Sequence, residues 1–132
     1  MILLKKIILI MLVLAGCNHI EVQHNKNLEK AIYSIVEDKD NSGISIESVA
    51  DFRWDHAFLF EPYTPQEQME EAMGAEFEDP SNMRSRDDIY LLVFLHEENV
   101  VQYAEIDRQK SDFSIGENDH LTPSDDLIEI ER

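Results

Sequence analysis

An α+β domain, a mainly antiparallel sheet of about four or five strands with two helices packed on one face, is the fold class this sequence predicts. Three observations point there. The run Ile89-Tyr90-Leu91-Leu92-Val93-Phe94-Leu95 is almost wholly apolar, and a second extended stretch follows it across a short polar turn. Leu28, Ala31, Ile32, Ile35 and Val36 recur at three- and four-residue steps, the mark of one apolar helical stripe. Pro62-Tyr63-Thr64-Pro65-Gln66-Glu67 has the residue order of a helix start.

The first segment is of a different kind. Lys5 and Lys6 precede an apolar run of about nine residues, 7–15, too short for the roughly 20 that cross a bilayer. Leu14-Ala15-Gly16-Cys17 closes it. Together these features resemble the export signal and lipobox of bacterial lipoproteins. The resemblance implies a signal peptide over residues 1–16, cleavage between Gly16 and Cys17, and a diacylglyceryl group (palmitate-type chains) on the Cys17 sulfur. It places the protein outside the cytoplasm, anchored to the cell membrane. Asn18 is not the aspartate that favours inner-membrane retention, so an outer membrane is open to it where the host has one. Cys17 is the sole cysteine, so no internal disulfide forms.

Residues 17–27 read as the lipidated cysteine and a flexible tether, polar and poor in apolar groups. His19 and His24 fall there, five apart, without the spacing that puts two ligands on one helical face. Residues 28–132 read as the single domain. Asn27 suits the cap of the first helix, and Gly43 ends the turn after it. Ile44 and Ile46 alternate with serines, as in a strand. His56-Ala57-Phe58-Leu59-Phe60 carries apolar groups on both faces and reads as a central strand. Thr64 fits an N-cap, Pro65 the first helical position and Glu67 the reciprocal box position. Met69, Ala72 and Met73 form the inner face, and Gly74 the stop. His96-Glu97-Glu98-Asn99 turns the chain into a partner strand running from Val100 to Asp107. Phe113 and Ile115 pack at the sheet edge, and Leu127-Ile128-Glu129-Ile130 is a last strand.

Charge narrows the function. Without Lys5 and Lys6 the chain has nine basic residues against 28 acidic ones, a formal net charge of −19. That excludes nucleic acid and flat adhesion to anionic lipid, both of which need clustered Lys and Arg. It favours solubility and attracts cations.

No constellation of reacting groups stands out. Asp38, Asp40, Ser42 and Gly43 copy the first half of a calcium loop, but Ile46 and Val49 occupy its ninth and twelfth positions. A polar turn after a helix uses the same residues. Asp55-His56 are neighbours on a strand and point to opposite faces, so they cannot work as a dyad. No G-x-S-x-G, no H-x-x-x-H and no phosphate-cradling glycine loop is present. Trp54 and Tyr63 flank a strand, and both are candidates for a recognition surface, as Asp38 and Asp40 are for a cation.

Trp54-Asp55, the apolar strand after it and Pro62-Tyr63-Thr64-Pro65 resemble a set of small uncharacterised bacterial lipoproteins and secreted domains. These combine such a segment with a capped helix and a later hydrophobic hairpin. The likeness covers residues 44–112 and implies a fold without an activity. The expectation is a membrane-anchored, non-catalytic lipoprotein that binds an envelope partner or serves a structural role, with no cofactor and no metal. The alternative is a divalent-cation or small-ligand binder on the acidic surface between Asp38 and Glu47. An enzyme with an unfamiliar site near His56 comes third.

Overall fold

The computed structural model describes residues 21–132. Its elements run β1 (Gln23–His24), α1 (Lys26–Glu37), β2 (Gly43–Ser45), α2 (Ile46–Val49), β3 (His56–Phe60), α3 (Gln66–Met73), a 3₁₀ turn (Met83–Ser85), β4 (Ile89–His96), β5 (Asn99–Asp107), β6 (Asp112–Ser114) and β7 (Leu127–Glu131). The class is α+β with antiparallel pairing predominant, as the sequence predicts. The strands divide between two sheets, β1-β5-β4-β3 and β2-β7-β6. Of their pairings only β1 with β5 is parallel.

The helices take opposite faces of the larger sheet rather than one. On one face Tyr90, Leu92 and Phe94 of β4 meet Leu28, Ile32 and Val36 of α1, together with Ile128 and Ile130 of the smaller sheet. On the other, Leu91, Val93 and Leu95 meet Met69 and Met73 of α3, with Phe77 and Met83. Strand alternation alone produces this division, because successive side chains leave a strand on opposite sides. β3 is an edge strand, not a central one. Its apolar groups on both faces reflect a sheet covered twice, and its outer side is partly closed by the Ala57–Leu121 bridge.

Residues 23–24 and 26–27, expected in a flexible tether, belong to regular structure. Gln23 and His24 pair with Gln102 and Tyr103. Asn25, not Asn27, caps α1: its side chain accepts from the Leu28 N–H at 2.9 Å and donates to Gln102 at 2.7 Å. The other end of α1 leaves carbonyls without helical partners. The Arg132 guanidinium reaches back to that end, donating to the Val36 carbonyl at 2.9 Å and the Asp38 carbonyl at 3.3 Å, and to the Asn41 carbonyl in the turn beyond at 2.6 Å. A cation suits that helix end.

Two local readings change. Ile44 lies in β2, but the chain turns helical at Ile46, and both isoleucines are fully buried. Asp126 stabilises that turn by accepting from the Ser45 hydroxyl at 2.6 Å and the Glu47 N–H at 2.8 Å. Before α3 the capping box does not form. Thr64 directs its hydroxyl to the Glu61 carbonyl at 2.7 Å, and Pro65 takes the cap position with an extended backbone. Gly74 ends α3 in the left-handed region, as expected, while Ala72 faces solvent.

The β4–β5 hairpin turns through Glu97 and Glu98, at φ 50° and 69°. Two positive φ values in a two-residue turn match the twist of the strands, but the geometry favours Asn-Gly over Glu-Glu. Glu98→Gly therefore raises stability by about 0.5–1 kcal/mol, read from the denaturant midpoint. For Asp126, burial works to raise the carboxyl pKa, but the hydrogen bonds from Ser45 and Glu47 outweigh it and hold the group below the ordinary carboxylate range. A depressed carboxyl stabilises the fold above its unfolded-state pKa, and that stabilisation is lost as pH falls through the folded value. Asp126→Asn accordingly lowers neutral-pH stability by about 1 kcal/mol. It also narrows the gap to the parent in acid, as melts across a pH series would show.

Candidate functional site

The residues singled out by sequence scatter. Gly16 and Cys17 lie outside the described residues. Asp38 and Asp40 are exposed in the turn after α1, where the Asp38 carboxylate accepts the Asp40 N–H at 3.0 Å. Among the described residues no third His, Cys, Asp or Glu joins them at ligand distance. The turn reading accounts for both aspartates.

Trp54 is 4% exposed and packs edge-on against Phe94, with ring centroids 5.5 Å apart. It belongs to the core and presents no recognition surface, which corrects the expectation. An aromatic of that size is drawn inward by its area, even beside a loop. Tyr63 is the reverse. It is 60% exposed and sits at φ 68°, with its N–H shared between the Met83 and Arg86 carbonyls. The two rings form no common surface.

Asp55 and His56 diverge as the strand geometry requires. Asp55 accepts the Glu97 N–H at 2.7 Å and lies 3.4 Å from the His96 ring. That backbone hydrogen bond, helped by His96, holds its carboxyl below the ordinary range. His56 instead meets His120 edge-on, at 4.8 Å between centroids, and His120 tilts over Phe58.

The densest polar constellation was not legible in the sequence. His24 from β1, Glu29 from α1 and Glu105 from β5 bring one donor atom each within 4.8 Å of the others. Asn25 caps α1 immediately after β1, so Glu29 emerges from the first turn directly beside the strand. Glu29 Oε2 lies 2.5 Å from His24 Nε2 and accepts the Glu105 N–H at 2.8 Å. The His24 ring stacks on Tyr103, with 4.5 Å between centroids and 17° between planes. Arg86 stands 3.4 Å from the Glu105 carboxylate. All three donors are half-buried. Burial, and after it the carboxylates of Glu105 and Glu29, raise the Tyr103 hydroxyl pKa. Glu29 and Glu105 also stand in the wall of an open cleft of about 410 Å³ between α1 and β5.

A second, polar cleft of about 630 Å³ lies beyond β6. There the buried Tyr90 donates to Asp112 at 3.0 Å, and Arg108 reaches the same carboxylate at 2.7 Å. Burial and the Asp112 carboxylate raise the Tyr90 pKa. Every polar group of this trio is engaged within the fold, which accounts for it as a tie between β4 and β6.

No protein-family model, no curated protein and no solved structure matches the chain.

The contrast between the two aromatics is measurable. Trp54→Ala opens a void against Phe94 and costs about 3–5 kcal/mol, whereas Tyr63→Ala stays within about 0.5 kcal/mol of the parent. Equal losses in urea denaturation would contradict the placement of the two rings.

Proposed function

We propose that this chain is a lipid-anchored protein outside the bacterial cytoplasm, a non-catalytic acidic module that meets an envelope partner at the membrane surface. The observation that carries this reading is Leu14-Ala15-Gly16-Cys17, placed directly after an apolar run and Lys5-Lys6. The sole cysteine stands where the lipid would be joined. Two acyl chains, at roughly 0.8 kcal/mol for each buried methylene, hold a protein far more durably than one.

The position of β1 adds a geometric consequence. Gln23 is paired in the sheet six positions after Cys17. Six residues reach at most about 20 Å when fully extended. A lipid on Cys17 therefore keeps the β1 end of the domain close to the headgroups, so the partner would be met at the surface and not far from it. The acidic balance supports a protein or cationic partner over nucleic acid.

Labelling the native host with radioactive palmitate tests the anchor. The parent takes up label and sediments with membranes. Cys17→Ala takes up none and leaves the membrane fraction. Equal labelling, or unchanged fractionation, overturns the reading.

A further inference from the structure

We propose that His24, Glu29 and Glu105 form a binding site for one divalent transition-metal ion of the zinc class. The inference goes beyond membrane anchoring and does not rest on it.

The donor set is the first argument. One imidazole nitrogen and two carboxylate oxygens, from three separate elements, are a set that zinc and its neighbours accept with further positions open to water. Calcium prefers six to eight oxygens and has little use for an imidazole. Geometry is the second. Three ligands bound at about 2.0–2.2 Å lie roughly 3–4 Å apart. The donor atoms here are already within 4.8 Å of one another, so side-chain rotation alone brings them to an ion.

The surroundings are the third. Metal ligands are ordinarily held in place by a layer of outer contacts. Here Tyr103 fixes the plane of the His24 ring, the Glu105 N–H holds the Glu29 carboxylate, and Arg86 steadies Glu105. Two carboxylates half-withdrawn from water repel each other, and a divalent ion relieves that repulsion better than the single guanidinium at its edge. The adjoining open cleft leaves a path for the ion and its water.

The test uses the full chain in detergent, stripped with a chelator and carrying Cys17→Ser throughout so that the thiol takes no part. Zinc chloride is titrated by calorimetry into this protein and into His24→Ala and Glu105→Gln. The site predicts one zinc per chain and binding at least tenfold weaker in each variant. It also predicts a zinc-dependent rise in melting temperature that both variants lose. Glu105→Gln keeps the backbone N–H that Glu29 needs, so it remains informative if His24→Ala fails to fold. No saturable heat up to millimolar zinc overturns the proposal. So does zinc affinity unchanged in Glu105→Gln, or calcium binding as tightly as zinc, which would mark a diffuse acidic field in place of a site.

Discussion

β4 is the constraint from which the rest of the structure follows. All seven residues from Ile89 to Leu95 are buried, so neither side of the strand can face water. Each large apolar side chain taken from water contributes roughly 1.5–3 kcal/mol, and exposing either row would forfeit that several times over. The sheet must therefore be roofed on both sides. The described residues hold two amphipathic helices longer than one turn, and each takes one side. The side of α1 is wider than one helix covers. The β2-β7-β6 sheet completes it, delivering Ile44, Ile128, Ile130 and Phe113 into the same core as Leu92 and Phe94. The split into two sheets is thus a packing requirement of one strand.

The acidic surplus has a structural use of its own. The chain has four glycines, one of them in residues 1–16, and six non-glycine residues among those described take positive φ. Left-handed backbone is unfavourable for ordinary residues and leaves N–H groups turned away from regular partners. Carboxylates meet several of them. Asp55 accepts from Glu97, Asp107 from Gln109, and Asp79 from both Ser81 and Met83 around left-handed Asn82. Asp126 and Asp38 do the same in turns without positive φ. Short acidic side chains thus hold turns whose backbone would suit glycine. Two of these carboxyls, Asp55 and Asp126, are held below the ordinary range by the N–H groups they accept from, which ties those two turns to pH.

The parts legible in the sequence are those fixed by local pattern. The α1 stripe, the β4–β5 hairpin with its Glu97-Glu98 turn, the last strand and the Gly74 stop all depend on neighbours a few residues away. What escaped depends on distant partners. β3 looked central because both its faces are apolar, but the same pattern arises at the edge of a sheet roofed twice. The box at Thr64 failed because the Glu61 carbonyl offered its hydroxyl a nearer partner. Asn25 outcompeted Asn27 as a cap because it is tied to Gln102, 77 residues away. The candidate site was hidden for the same reason. His24 read as a linker residue, and only its parallel pairing with β5 brings Glu105 beside it. The one local hint was Glu29 in the first turn of a capped helix, five residues on, a spacing too common to single out.

If the chain is lipid-anchored as proposed, the position of that cluster bears on how an acidic module would meet a membrane. The nine basic residues remaining after residue 16 against 28 acidic ones repel an anionic surface, while a short lipid tether would hold the domain against it. Under the proposed anchoring, acyl burial would dominate that contest, since two chains outweigh a screened repulsion. Orientation would then be settled locally, by the charge at the end nearest the lipid. The proposal puts β1 there, with His24 beside Glu29 and Glu105, and with Lys26 and Lys30 exposed on α1. An ion held between the two glutamates would cancel charge where repulsion is greatest. A lysine-bearing helix start would then meet the headgroups in place of a bare carboxylate pair. The proposed anchor and the proposed ion site would then share one end of the domain, because the parallel pairing of β1 with β5 brings Glu105 beside His24.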